Sequence, residues 1–367
     1  MPAENTMANQ KIRTFVLGAG FTKAFAPDAP TLVDDYGIDD LIAKYDKIGN
    51  VNLILETEKS RYGNGKIDLE RLMTRLTVGA PFYVQDYSNE QNIVLNYLLQ
   101  RFIDKINSAR NMSEQNETDL LKFAKYCINN HVNCITFNYD DIFDFALNNA
   151  SIQLARGSDG FWPKNSKGWC PEGGYGFFCK PADSFLGYHK GDLFFRQTYM
   201  LLLKLHGSIN WFPVIGSEEP YRLGDIFHNS NYINSPHDEN ILLRIKLHLK
   251  PIPFIIPPIL DKKSVYSNQI LSLIWKLAFS ELAGSNEIVF IGYSMPKTDI
   301  LANFMFSESL HPIHNSGNRK VIIVNKTEDG KQIQQIKESY NSIFDGKCTI
   351  EFHYDGALEW LNKEGII

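Results

Sequence analysis

The chain has 367 residues, 44% of them hydrophobic, which is enough for a full core and for two domains or one large domain with insertions. A formal net charge of −5 excludes a global electrostatic drive towards nucleic acid; Lys11, Arg13, Arg244, Lys246 and Lys250 are interspersed with apolar residues and read as solvated surface. The five cysteines form no Cys-x-x-Cys pair, the opening residues are polar and no run reaches membrane length, so a cytoplasmic protein with free thiols and no membrane contact is expected.

In chain order, residues 1–10 read as a flexible tail. Thr14 to Leu17 is a first strand, and a helix begins at Phe21. Residues 38–130 are polar with apolar positions at threes and fours (Leu69, Leu72, Met73, Leu76, then Val94, Leu98, Phe102, Ile106) and read as a helical insertion. Leu120 to Ile128 is its returning helix. Asn133 to Thr136 is the next strand, and Asp141 to Asn148 a short helix. Residues 151–199 are rich in Gly, Trp, Phe and Pro without periodicity, and 213–255 are mixed; both read as loop-rich insertions whose aromatics serve packing, a lid or an interface. Leu201 to Leu205 is a strand.

The last third alternates: helix Val265–Ala283, strand Glu287–Ile291, helix Asp299–Ser309, strand Lys320–Val324, helix Glu328–Tyr340, strand Thr349–His353, helix Ala357–Leu361. Such alternation implies right-handed crossovers and an α/β fold on a parallel sheet. Its segments would be 11–37, 131–150, 200–212 and 256–367.

Residues just past the carboxyl ends of parallel strands face the ligand crevice. Four segments hold that position. Gly18-Ala19-Gly20-Phe21-Thr22 allows a tight turn and close approach to a pyrophosphate, although Lys23 stands where a dinucleotide fingerprint has a third glycine; a plain turn fits too. Asn138-Tyr139-Asp140 follows the second strand, and His206-Gly207 follows Met200–Leu205. Gly292-Tyr293-Ser294-Met295-Pro296 follows Glu287–Ile291. An imidazole titrating near neutrality can take a proton from a hydroxyl or from water. Asp141 reads as a helix cap, Asn138 as functional, because His206 supplies its partner.

In order and spacing these segments resemble the sirtuins, and among them the divergent bacterial-defence branch. The resemblance implies a Rossmann-like NAD-binding core. Asn138, Asp140 and His206 would be catalytic. Gly18, Ala19, Gly20, Phe21 and Thr22, with Asn138, Asp140, Gly292 and Ser294, would bind NAD. Asn325 would reach the adenosine ribose, and Asp355 would sit beneath the adenine. Asn138 would hold ribose and water while Asp140 supports positive charge as the glycosidic bond breaks.

The sequence departs from the sirtuins in two places. The zinc-holding cysteine pairs are missing: Cys170 and Cys179 stand apart and His189 is a poor substitute, so no zinc is expected. Phe25 to Leu32 gives no match to the segment that follows the sirtuin glycine loop.

The implied activity is an NAD glycohydrolase in anti-phage abortive infection. The resemblance extends to short sirtuin-like proteins paired with a HerA-type ATPase, or alternatively with an Argonaute. A homo-oligomer restrained by its partner is expected. The competing readings are a non-catalytic module binding NAD or ADP-ribose, and a protein deacylase, which the missing cysteines disfavour.

Overall fold

The computed structural model describes residues 12–45, 49–62, 65–77, 88–155, 168–177, 179, 200–213, 221–222, 253–256, 268–296, 299–314 and 317–367. The expected tail, His189, Val265 and Thr298 lie outside these residues.

The chain enters on β1 (Arg13–Leu17) and α1 (Ala19–Phe25), then leaves the sheet through β2 (Val33–Asp35), α2 (Ile38–Tyr45), α3 (Gly49–Tyr62), β3 (Lys66–Asp68), α4 (Leu69–Thr77) and α5 (Ser88–Ser108). It returns through α6 (Glu114–Asn129) to β4 (Asn133–Thr136), α7 (Ile142–Ala155), α8 (Pro171–Gly174) and β5 (Leu202–Lys204), with a ribbon of β6 (Trp211–Phe212) and β7 (Tyr221–Arg222). The remainder is α9 (Gln269–Gly284), β8 (Glu287–Ile291), α10 (Ile300–Ser309), β9 (Lys320–Val324), α11 (Gly330–Phe344), β10 (Thr349–His353) and α12 (Ala357–Lys363).

Six strands form one parallel sheet in the order β10-β9-β8-β1-β4-β5, the Rossmann-like α/β architecture expected from the alternation. The chain winds outward from β1 to β4 and β5, then comes back to β8 on the other flank of β1, so its direction of travel reverses at the middle of the sheet. Runs such as Phe15-Val16-Leu17 and Ile288-Val289-Phe290-Ile291 are buried throughout, as a sheet covered on both faces demands. Edge strand β10 is half-buried and carries Glu351, which pairs with Lys320 and with His353 at 2.9 Å; charge protects an edge from further pairing.

Register decides where function can sit. Leu17 lies opposite both Thr136 and Ile291, Thr136 opposite Lys204, Ile291 opposite Val324, and Val324 opposite His353. The carboxyl ends of all six strands are therefore level, and the residues that follow them start from one edge.

The insertion has a core of its own. Tyr36, Ile54, Leu55, Leu72, Leu76, Leu98 and Phe102 cluster apart from the sheet core, with Tyr139 and Ile209 reaching in from the sheet side. The α4 sequence LERLMTRLT explains its share: Leu69, Leu72, Met73 and Leu76 fall on one helical face and are buried. Beneath them Glu58, fully buried, takes Arg75 at 2.6 Å, Arg71 at 3.1 Å and Arg61 at 3.7 Å. The block also carries the antiparallel pair β2–β3, which its helical periodicity did not announce. Leu120, Phe123 and Ile128 of α6 pack instead on the sheet core, as expected of the returning helix.

Three expectations change. Arg13 is not solvated surface: its Nε donates to buried Glu287 at 2.5 Å and its other arm pairs with Glu364 at 3.2 Å. The helix expected to end at Asn148 runs to Ala155. There Ser151 accepts no loop role; its hydroxyl takes Trp169 N at 2.7 Å. Within the aromatic block, Trp169, Tyr175 and Phe177 are buried in the sheet core against Trp211, so these three serve packing.

Candidate functional site

The level strand ends open into a cavity of about 150 Å³ between the two cores. One wall belongs to the sheet: Gly18, Ala19 and Thr22 after β1, Phe137 to Asp140 after β4, His206 after β5, and Gly292 to Ser294 after β8. The facing wall comes from the insertion and its approach: Thr31, Leu32, Glu70, Phe102 and Ile106.

The turns after β1 and β8 are built against each other. Gly18 N donates to Ile291 O at 3.0 Å and Gly20 N to Gly292 O at 2.9 Å. A Cβ on Gly20 would stand 2.8 Å from Gly292 Cα, and one on Gly18 would stand 2.6 Å from Tyr293 Cα. Gly292 itself has φ +64, and a side chain there would overlap the backbone of Gly20 and Phe21. The glycines thus permit loop-to-loop contact.

Asn138 is fixed by two donations from its amide: Nδ2 to Gly18 O at 2.9 Å and to Thr22 Oγ1 at 2.9 Å. Gly18 O can only accept, which sets the amide's orientation and commits both its hydrogens. What Asn138 can offer a ligand is its carbonyl oxygen, an acceptor for a hydroxyl or a water. Thr22 passes the chain on, donating to Asp140 Oδ2 at 2.8 Å. The Asp140 Oδ1 accepts from Ile142 N at 3.1 Å. Burial lifts the Asp140 carboxyl above the usual range, opposed by the nearby Lys204 ammonium and by the Thr22 hydrogen bond.

Lys204, buried at the end of β5, donates to the Asp140 carbonyl and pairs with Asp144 at 3.0 Å; Asp144 also accepts from the Tyr175 hydroxyl. This anchors the loop after β4 to the strand that delivers His206. The His206 ring is 5% exposed. Phe137 packs edge-on to it at 5.2 Å and Tyr139 lies tilted against it at 5.7 Å. Its backbone is held by Ile256 N on His206 O at 2.8 Å and by Trp275 Nε1 on Leu205 O at 3.0 Å. Gly207, at φ +78, turns the chain beneath Phe254.

No protein-family profile matches this sequence. No curated protein matches it either. Among solved structures the chain is similar to a Sir2 in complex with the inhibitor EX-527, 2'-O-acetyl-ADP-ribose and a deacetylated p53 peptide, at 12% identity over 97% of this chain and 95% of that one, TM-score 0.39. It is also similar to a sirtuin from work on sirtuin substrate affinity, at 11% identity over 99% and 98% of the two chains, TM-score 0.39. A third is a Sir2–p53 peptide–NAD+ complex, at 11% identity over 97% and 94%, TM-score 0.34. Overlaps of that size leave the reading of the cavity to its own residues.

Of the residues singled out from sequence, Gly18, Ala19, Thr22, Asn138, Asp140, His206, Gly292 and Ser294 line this one cavity. Gly20 and Phe21 do not; Phe21 packs its ring among Phe25, Phe123 and Phe143 in the core. The Thr22 hydroxyl, expected to face phosphate, gives its proton to Asp140. Asn325 and Asp355 stand further along the same edge, Asn325 reaching Tyr293 O at 3.4 Å and Asp355 pairing with Lys363 at 2.8 Å on the surface.

The cap expected of Asp141 is supplied by Asp140, while Asp141 holds Arg110 by two bonds of 3.0 and 2.8 Å. Asp299 opens α10 without a side-chain cap and accepts instead from the Tyr293 hydroxyl at 3.0 Å. Cys170 and Cys179 are buried, Cys179 in the sheet core with Trp169 and Tyr175, and do not fit a solvent-side cysteine cluster; among the described residues no three His, Cys, Asp or Glu gather to hold a metal. No described helix is long and apolar enough to cross a membrane.

Sequence reasoning missed Tyr139, Tyr293, Glu70 and the apolar residues of the insertion wall. The tyrosines lay inside the quoted motifs, and alternation on an extended loop could have flagged them. Tyr293 stacks on Phe137 at 4.5 Å and 15°, closing the cavity floor.

Proposed function

We propose that the chain is an NAD glycohydrolase that releases nicotinamide and ADP-ribose. The observation that carries this reading is the convergence of Asn138 and His206, delivered by different strands, on one cavity whose edge is the paired glycine turns. NAD would lie along the level strand ends, with its pyrophosphate over the Gly18–Thr22 and Gly292–Ser294 turns. Strands spaced about 4.8 Å apart put β9 roughly 10 Å from β1, so Asn325 and Asp355 are placed for the adenosine end of an extended dinucleotide.

The chemistry assigns each residue a task. The carbonyl oxygen of Asn138 accepts from a ribose hydroxyl or from the attacking water. His206 takes the proton of that water as its oxygen bonds to the anomeric carbon. Nicotinamide leaves with the electron pair of the broken C–N bond. Asp140 acts from behind: held by Thr22 and Ile142, it fixes the Asn138 amide through Thr22 and adds negative potential below the ribose. The phenols of Tyr139 and Tyr293, raised far above their usual range first by burial, stay neutral and wall the site from water.

The wider role rests on the motif resemblance: an anti-phage, abortive-infection effector in the cytoplasm, homo-oligomeric, and restrained by a HerA-type ATPase. The test is to incubate purified protein with NAD, with and without that ATPase, while following nicotinamide release and particle mass. Stoichiometric nicotinamide and ADP-ribose, with a rate that changes on adding the ATPase, is the expected result. NAD left intact under every condition refutes the hydrolase, and an unaltered rate refutes the control by this partner.

A further inference from the structure

Three carboxylates border the cavity: Asp140, Asp299 and Glu70. Asp140 has each oxygen engaged by the protein, Oδ2 by Thr22 at 2.8 Å and Oδ1 by Ile142 N at 3.1 Å, and its side of the loop is pinned by Lys204. Asp299 gives Oδ2 to the Tyr293 hydroxyl at 3.0 Å. Both are less than one-tenth exposed, whereas Glu70 is half-buried at the cavity border.

Glu70 comes from the other core. It is the second residue of α4, and its neighbours Leu69, Leu72 and Met73 are buried in the insertion, which fixes the helix that carries it. A first-turn position favours an anionic side chain there. Its charge is the smallest influence on the phenols of both Tyr139 and Tyr293, behind burial and Asp299 at the first and behind burial, Asp299 and Tyr340 at the second. Tyr139 packs on His206, and Tyr293 stacks on Phe137, which itself packs on His206. Glu70 thus lines the same cavity as His206, from the wall the sheet does not supply.

We propose that Glu70 is a catalytic carboxylate of the NAD cleavage, accepting a hydrogen bond from the nicotinamide ribose and stabilising positive charge as it develops on the anomeric carbon. This rests on the glycohydrolase reading. The bond from C1′ to the nicotinamide nitrogen breaks with its electron pair leaving on nicotinamide. Water oxygen bonds to C1′, and His206 takes the proton. Glu70 forms no covalent bond; it lowers the energy of the charged ribosyl centre by opposite charge placed beside it. The active site is then completed only when the insertion core is seated on the sheet.

The experiment compares wild-type protein, Glu70→Gln and Glu70→Asp as full chains, each by kcat, KM and thermal midpoint. Expected for Glu70→Gln is a fall in kcat of about 10²-fold or more. KM should stay within about threefold, because an interaction made chiefly in the transition state leaves ground-state binding alone. The midpoint should not move, and Glu70→Asp should recover part of the rate. Wild-type kcat in Glu70→Gln overturns the inference while leaving the glycohydrolase intact. So does a loss in which KM rises and the midpoint falls together, the signature of a structural residue. Wild-type protein that releases no nicotinamide overturns both.

Discussion

The two walls of the cavity are held by different forces. On the sheet wall the turns are tied to backbone that the parallel ladder already fixes: the Asn138 amide to Gly18 O, Gly20 N to Gly292 O, and the Lys204 ammonium to the Asp140 carbonyl. On the insertion wall Leu32, Glu70, Phe102 and Ile106 are placed by side-chain packing of a second core around Tyr36, Leu72 and Leu98. The first arrangement resists local change, because moving one strand end means breaking the register of its neighbours. The second has no ladder to hold it, and it is joined to the sheet side through Tyr139 and Ile209, which are buried in its core. Chemistry that needs both walls is then only as persistent as the weaker one.

The sharpest test of the sheet wall is chemical. His206→Ala and Asn138→Ala should each lower NAD cleavage by about 10²–10⁴-fold, the range for a general base or its partner. The circular-dichroism melt of His206→Ala should stay near that of the wild type, while Asn138→Ala, which also loses its bonds to Gly18 O and Thr22, should be destabilised by about 1–2 kcal/mol and remain folded. Wild-type turnover in both would remove the pair from the mechanism.

Next in size is a backbone change on the same wall. Gly292→Ala forces a Cβ into φ +64 and against Gly20 and Phe21, and should cost about 3 kcal/mol, the upper end for a strained position. The paired turns would part, so calorimetry should also find NAD affinity lost. Retention of both stability and affinity would show that the turns are not built against each other.

A change of about 2 kcal/mol is expected on the other wall from Glu58→Ala, which strips the insertion core of its charge-assisted bonds to Arg71 and Arg75. The arginines are partly exposed and can turn to water, which limits the loss. Hydrogen exchange should quicken in α3, α4 and α5 and not in β1, β4 or β8. Equal quickening everywhere would erase the distinction between the walls.

The smallest effect is a pH dependence. Burial raises the Asp140 carboxyl above its ordinary 3.8, so the folded state holds that proton more tightly than the unfolded one. Stability contributed by this group therefore falls as pH rises from 3.8 through the raised value, and is flat above it. Asp140→Asn lacks this term. Its denaturation midpoint relative to wild type should drop as pH is lowered through that window, and a difference independent of pH would contradict the burial argument.

The sheet was legible because its strands are short, built around apolar runs and separated by helices, and because level carboxyl ends turn motif order into spatial proximity. Glu287–Ile291, Lys320–Val324 and Thr349–His353 fall where the alternation puts them. The insertion was legible as helices and not as a wall: periodicity shows that Leu69, Leu72 and Leu76 seek a core, without saying where that core docks. Glu70 carried no signal for the same reason. The cap moved from Asp141 to Asp140 because adjacent residues at a helix start offer either carboxylate to the first amide, and Asp141 is drawn off by Arg110.

Tyr139 and Ile209, sheet-side residues buried in the insertion core, have a thermal consequence. The cavity is also the seam between two bodies, so a molecule touching both Glu70 and His206 would act as a rivet. It would raise the melting midpoint by mass action, roughly 2.7 kcal/mol at a hundredfold excess over its dissociation constant. It would also bring the unfolding of the two bodies into a single transition. ADP-ribose added during a melt should make that visible, and a midpoint indifferent to it would mean that the seam is elsewhere.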